Sequence, residues 1–362
     1  MLTSPMYDNT RTALRHHLSE ALDSQIDTLA LMVVGITTAQ SAQMAAIARA
    51  MPLDTTQMAK EQRIRRLLDN ERIKLDSHYH PIARQALSGL KGQRVNVLID
   101  RVLLRDHHNI LVVSVGFRRR SIPLVWKALD HRGSSGFEDQ KALLESALSL
   151  LPERVRVTIH GDSEFRSLDL FNWIRAQGHN AMLGVTGATY VYDQKGEQAS
   201  GSTLEERVGT RTDVVRLSQV YLTHEQQGPV NVLAWWDKDD DGKPLIRAVM
   251  TNLPANGFTY RLGKRRMWIE TVFRDWQSGG FQLDKSGLKE RERFARLLLT
   301  VVIAYVWLIS IGRWVVKKGY RRLIDDGGSR SWHYSLFQLG LGWMKRLQSY
   351  TQTLPILLYL YI

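Results

Sequence analysis

The chain has no cysteine in 362 residues, which removes disulfide frameworks, cysteine-ligated zinc ribbons and thiol nucleophiles from consideration. It is also short of acid, with 36 Asp and Glu against 49 Lys and Arg, a formal charge of +13 and a pI near 9.9. Such an excess favours polyanions, since phosphate neutralisation supplies most of the sequence-independent affinity for DNA. Ribosomal or membrane-surface partners draw the same charge. The start Met1-Leu2-Thr3-Ser4-Pro5 lacks a basic stretch followed by an apolar core, so no export is expected and a cytoplasmic, nucleoid-associated location is. No run reaches the roughly 20 apolar residues that span a bilayer. The longest, 297–312, has 16 residues and includes Thr300, Tyr305 and Ser310, so a buried helix and no membrane partner are expected. The tail 354–362 is apolar but shorter still.

What is present divides the length into several regions. Residues 1–90 read as all-helical, with 28–51 rich in alanine, Gly35 a candidate break and Pro52 a boundary. In 56–73, Ile64, Leu67 and Leu68 form a stripe, while Lys60, Arg63, Arg65, Arg66 and Arg72 cover much of the remaining surface. Such a helix is either a recognition helix in a DNA groove or a solvated charged face. From 91 to 187 the pattern changes to α/β. Strands near 95–100, 109–116 and 121–126 precede a helix at 138–151, a strand ending at His160, a helical stretch ending near Gln177 and a strand at 180–185. Arg118, Arg119 and Arg120 mark the second hairpin or a charged turn.

Two carboxylates end strand-like runs. Val95-Asn96-Val97-Leu98-Ile99-Asp100 is a buried strand closed by an acid, and Val155-Arg156-Val157-Thr158-Ile159-His160 runs into Gly161-Asp162-Ser163-Glu164-Phe165. Asp162 stands at a strand's carboxyl end, where open α/β sheets place ligands, although an N-cap would use the same residue. A third acid lies on an amphipathic helix spanning Arg266 to Gln277, whose apolar stripe is Ile269, Val272, Phe273 and Trp276. Arg266 lies one turn before Glu270 and Gln277 two turns after it, on nearly the same side. An exposed i,i+4 ion pair would look the same. Three carboxylates converging from strand, strand and helix would suit two Mg²⁺ ions, which take hard oxygen ligands and drive in-line displacement at phosphorus.

Between Asp162 and Glu270 lie 107 residues, more than one strand and one connection occupy. The runs 190–192, 213–221, 230–236 and 245–251 are β-rich and separated by glycine and acidic turns, so 188–252 reads as an inserted antiparallel domain. Trp235 and Trp236 are candidates for stacking an unpaired base, with core packing the expected role of at least one. Asp237, Asp239, Asp241 and Gly242 begin a calcium-loop pattern, but Ala248 stands where the bidentate glutamate belongs, so a hairpin turn is read instead. His107 and His108, like His16 and His17, lack partners at metal-ligand spacing and read as surface or turn residues.

On Asp100, Gly161-Asp162-Ser163-Glu164-Phe165, Thr251-Asn252-Leu253-Pro254, Arg266-x-x-x-Glu270 with Phe273-Arg274-Asp275, and Ser335-Leu336-Phe337-Gln338-Leu339-Gly340-Leu341, the chain resembles the DDE transposases of bacterial insertion sequences. The group it resembles is the hairpin-forming one known by its YREK signature, the insertion sequence four family. The resemblance implies a ribonuclease-H-like catalytic core interrupted by a β-rich insertion and preceded by a helical DNA-binding domain, with 253–362 holding the second part of the core and the C-terminal helices. It implies Asp100, Asp162 and Glu270 as catalytic metal ligands for two Mg²⁺ (Mn²⁺ substituting), and Arg266 and Gln277 as DNA contacts. It tips Arg63, Arg65 and Arg66 toward end binding. Partners are then double-stranded DNA, as element ends and target, with a homodimer on two ends. The family's tyrosine and lysine positions hold Gly263 and Gln277 here, with Tyr260, Lys264, Arg265 and Arg274 nearby. Two other readings stay open: a non-catalytic DNA-binding relic or repressor, and a stand-alone metal-dependent DNA nuclease.

Overall fold

The computed structural model describes residues 4–105, 108–239, 241–327 and 332–350, so His107 and the tail 354–362 lie outside the described residues. Its first part is helical: α1 (Pro5–His17), α2 (Asp23–Ala39), α3 (Met44–Ala50), α4 (Gln57–Leu68), α5 (Leu75–His78) and α6 (His80–Leu87). Gly35 does not break the chain as expected. It lies inside α2, where a Cβ would come within 2.9 Å of Ile47, so its bare face admits α3. The break falls at Gln40, which takes the left-handed conformation beyond the helix end. Thr56 caps α4 by accepting from the Ala59 N–H.

The β-branched runs that follow build one ten-stranded sheet. Its strands are β1 (Arg94–Leu104), β2 (His108–Phe117), β3 (Arg120–Leu129), β4 (Arg156–Gly161), β5 (Asn180–Val185), β6 (Tyr190–Tyr192), β7 (Gly201–Thr203), β8 (Val215–Leu222), β9 (Gln227–Lys238) and β10 (Pro244–Thr251). Their spatial order is β3-β2-β1-β4-β5-β10-β9-β8-β6-β7. The first three are antiparallel neighbours, β4 and β5 run parallel to β1, and α7 (Phe137–Leu148) and α8 (Leu168–Ala176) make the crossovers. Arg118 and Arg119 supply the β2–β3 turn with positive φ, whereas Arg120 points inward.

Strands β6 to β10, expected as an inserted domain, are antiparallel among themselves but form no sheet of their own. β10 pairs with β5, Thr251 opposite Met182, and carries β9, β8, β6 and β7 outward as an extension of the same sheet. The short α9 (Leu204–Val208) starts in a capping box of Thr203 and Glu206 and packs on β9 and β10. The aspartate-rich segment is the β9–β10 hairpin turn, closed by Asp239 N–H to Lys243 O at 2.9 Å. His108, expected at the surface, is buried at the start of β2, its ring stacked on Phe294 at 3.7 Å.

After β10 come α10 (Gly257–Gly263), α11 (Trp268–Trp276), α12 (Arg291–Lys317) and α13 (Leu336–Tyr350). α12 is long and apolar enough to cross a bilayer by length and composition, yet every residue from 297 to 312 is buried. It packs against α2, α4, α13 and β3, so the N-terminal helices and the sheet share one continuous hydrophobic core through it. α11 lies across β1, β2 and β3 with Ile269, Val272 and Trp276 fully buried.

Candidate active site

β1 and β4 are parallel neighbours in register, Leu98 opposite His160. Asp100 and Asp162 each stand two residues beyond that pair, Asp100 still on β1 and Asp162 just past the end of β4. Asp100 does not end its strand, as the apolar run implied; β1 continues to Leu104. The extra length is held by β2, which pairs Asp100 with Val112 and goes on to Leu104 with His108. Asp162 leaves β4 and caps a short 3₁₀ turn, its Oδ1 accepting the Glu164 N–H at 2.8 Å. That turn passes so close to β5 that a Cβ on Gly184 would sit 2.7 Å from its backbone, so glycine is required there.

Glu270 arrives from α11. Arg266 is not one turn inside that helix: it lies in a 3₁₀ segment, Lys264–Met267, that precedes it. The tighter winding still presents its guanidinium to the acids. Arg266 Nη2 donates to Glu270 Oε1 at 2.9 Å, and Nη1 lies 3.5 Å from Asp100 Oδ2. The carboxyl of Asp100, 9% exposed, is pushed up to about 7. Burial is the main cause, opposed by Arg266 and the Arg101 N–H and reinforced by the negative charges of Asp162 and Glu270. Arg266 thus spans Asp100 and Glu270, while Asp162 follows the strand next to that of Asp100.

The donor set, three carboxylates, is of the oxygen type a hard divalent ion takes. Among the described residues, however, no three acids or histidines stand close enough to grip an ion as they are. The Arg266 guanidinium bridges Asp100 and Glu270 in place of a cation.

The other expected site residues divide. Gln277 ends α11 instead of continuing it, and no hydrogen bond among the described residues ties its side chain to the acids or Arg266. Trp235 is packed, 5% exposed, against Met182, Leu233, Val249 and Leu262, and lines a cleft of about 510 Å³ together with Asp162 and Arg266. The reason is its place on the pleat, which turns it under α10. Trp236 points to the other side, 44% exposed, its indole N–H held by Gly209 O at 3.1 Å. A Cβ on Gly263 would lie in van der Waals contact with Met182 and the Trp235 ring, at 3.4 and 3.5 Å. Tyr260 meets Trp235 edge-on at 5.1 Å and carries Lys264 over its own ring at 4.7 Å. On α4, Arg63 is tied to Thr28 Oγ1 at 3.1 Å, Arg65 lies 3.6 Å from Glu61, and Arg66 lines a cleft of about 660 Å³ with Arg63. No contact among the described residues joins these three to the acids.

Three features escaped the sequence. His160, two residues before Asp162, is fully buried and pulled down to about 3, chiefly by burial, with Arg265 and Arg266 adding to it. It is therefore a neutral ring, its Nε2 3.0 Å from Asn96 Oδ1. Arg120, read as part of a turn, donates to Asp275 Oδ2 at 2.7 Å and to Thr271 O at 3.2 Å, fastening α11 to β3. Arg101 and Glu164 form a second pair beside the aspartates. The signal for each was an ionisable residue on a face otherwise apolar or next to an acid already singled out.

Residues 134–307 match the family model described as Transposase DDE domain. The match takes in Asp162 and Glu270, while Asp100 precedes it. The match supports a DDE transposase domain over that stretch, under half of the chain; domains of that family have a ribonuclease-H-like core, use divalent metals and act on DNA. No curated protein matches. Among solved structures the chain is similar to the "X-ray crystal structure of Marinitoga piezophila Argonaute in complex with 5' OH guide RNA and target DNA". The identity is 10% and the TM-score 0.27, over 62% of this chain and 34% of that one. The chain spans about a third of that protein's length, a likeness too slight to bear on function.

Proposed function

We propose that this protein catalyses cut-and-paste DNA transposition by the hairpin route, with Asp100, Asp162 and Glu270 as the ligands of two Mg²⁺ ions, which Mn²⁺ can replace. The observation that supports the reading is that Asp100 and Asp162 follow the paired ends of adjacent parallel strands while Arg266 spans Asp100 and Glu270, the latter on the helix across them. When bound, such ions activate the attacking oxygen and stabilise the leaving oxygen of a displacement at phosphorus. Every step is then the same exchange, one phosphorus–oxygen bond formed and one broken. Water nicks the element's end and leaves a 3′-hydroxyl. That hydroxyl attacks the opposite strand, closing a hairpin, and water reopens it before the 3′-hydroxyl attacks target DNA.

The chain's own groups supply placement. Arg266, already between Asp100 and Glu270, is positioned to exchange a carboxylate for a phosphate oxygen, a bidentate match that suits guanidinium. Arg63, Arg65 and Arg66 on α4 would grip the element's end, and the exposed ring of Trp236 an unpaired base at the hairpin. Two ends must be joined, so a homodimer on DNA is part of the proposal.

The test is cleavage of a labelled duplex bearing the flanking end, with Mg²⁺ or Mn²⁺, comparing wild type with Glu270→Ala and Asp162→Asn. Metal-dependent nicks and hairpins that vanish in both variants while binding persists are the expected result. Tight binding without nicking by the wild type would leave a DNA-binding protein and sink the enzymatic reading. Nicking without hairpins would favour a stand-alone nuclease.

A further inference from the structure

Both aspartates receive a backbone N–H, and the two residues that give those N–H groups are themselves clasped side chain to side chain. Arg101 N–H donates to Asp100 Oδ1 at 2.7 Å and Glu164 N–H to Asp162 Oδ1 at 2.8 Å. Arg101 Nε lies 3.0 and 2.9 Å from the two Glu164 carboxylate oxygens, and Nη2 2.8 Å from Oε2. The pair is largely shielded, with side-chain exposures of 21% and 12%.

Its remaining polar atoms are also engaged. Glu164 Oε1 accepts the Ser135 N–H at 3.0 Å and its hydroxyl at 3.1 Å, while Arg101 Nη1 donates to Asn109 Oδ1 at 3.0 Å. Asn109 in turn donates to His131 O and Gly133 O, and Gln140 to Ser135 O. The network thus reaches from β1 and β2 through the loop before α7 to the Asp162 turn.

A shielded ion pair adds little net stability over apolar side chains of the same size, because desolvation offsets the attraction. Geometry is what it does supply. The paired register of β1 and β4 ends at Leu98 and His160, two residues short of the aspartates. Beyond it the Arg101–Glu164 fork is the cross-link, and a bidentate fork sets angle as well as distance.

We propose that Arg101 and Glu164 are positioning residues that hold Asp100 and Asp162 at the separation and rotation a shared divalent metal needs, and that Glu164 is not itself a ligand. This rests on the metal-dependent reading above. Outer partners of metal ligands commonly set affinity by about 10- to 100-fold.

The experiment is Mn²⁺ titration of the full chain by calorimetry, with duplex affinity, circular dichroism and single-turnover nicking measured alongside. The variants are Asp100→Asn, Glu164→Gln, Arg101→Met, Arg101→Lys and the exchanged pair Arg101→Glu with Glu164→Arg. Glu164→Gln and Arg101→Met should each weaken Mn²⁺ binding by about 10- to 100-fold, with unchanged dichroism and duplex affinity. Arg101→Lys, which keeps the charge without the fork, should fall between, and the exchanged pair should recover part of the loss. A Glu164→Gln variant that binds Mn²⁺ like wild type overturns the proposal. So does one that loses Mn²⁺ as completely as Asp100→Asn while Arg101→Met keeps it, since Glu164 would then be a ligand. A wild type that binds Mn²⁺ no better than Asp100→Asn removes the metal-dependent reading itself, and the positioning role with it.

Discussion

Removing the Asp275 carboxylate should loosen the helix that carries Glu270, and the cost can be worked from its surroundings. Asp275 is 4% exposed and its partner Arg120 has a side-chain exposure of 15%, with 2.7 Å between them. In Asp275→Ala the guanidinium keeps, among the described residues, the Thr271 carbonyl at 3.2 Å as its one hydrogen-bond acceptor. Stranding one partner of a buried pair costs about 3–5 kcal/mol. A 362-residue chain at about 2.1 cal/mol/K per residue has an unfolding entropy near 0.76 kcal/mol/K, so the melting temperature should drop by roughly 4–7 °C. Arg120→Met with Asp275→Leu should recover most of it, because apolar replacements of a buried pair are often neutral or better. Glu270 lies five residues before Asp275 on the same helix. A misplacement near 1 Å costs up to about 10²-fold in rate, so nicking by Asp275→Ala at a temperature where it stays folded should fall at least about 10-fold. Differential scanning calorimetry and a single-turnover assay report the two effects. A melting shift under about 1 °C, or a double variant worse than the single one, would refute the anchoring argument.

Three more expectations concern the same region. Arg266→Met should raise Mn²⁺ affinity without DNA by about 10-fold, the worth of one charged hydrogen bond, while nicking falls; calorimetry showing weaker Mn²⁺ binding would mean that Arg266 assembles the acids and does not compete for them. Asp100 and Asp275 are both pushed up to about 7, chiefly by burial. A carboxyl raised above its unfolded value near 3.9 supports the fold below that pH and loses the contribution as pH climbs toward 7. The stability of Asp100→Asn relative to wild type should therefore improve from pH 4 to 7 in urea titrations, and a constant difference would contradict the shift. Trp236→Ala should weaken binding of hairpin-ended DNA by about 1–3 kcal/mol with little change in melting, whereas Trp235→Ala should destabilise the fold by about 3–5 kcal/mol; equal effects in both assays would erase the distinction.

Much of this was written locally. Runs of β-branched and other apolar residues marked β1 to β5 and most of β6 to β10, because such side chains pack well on a pleated, buried surface. The spacing of Ile269, Val272, Phe273 and Trp276 marked α11 because helical neighbours recur every three or four positions. The acids themselves stood out as charges on apolar carriers. Sequence could not decide which strands become neighbours. The register that sets Asp100 beside Asp162, the β5–β10 pairing that merges the insertion into one sheet, and the packing of α12 on the N-terminal helices all join residues far apart in the chain. Local pattern also left undetermined on which side of the pleat a residue falls, and that choice buried Trp235, exposed Trp236 and turned Arg120 from a turn charge into an anchor. The amino-acid order settled which segments could be strand or helix and where charge had to be explained. Tertiary pairing decided which charges meet, because burial and electrostatic coupling depend on distances that only the folded chain sets.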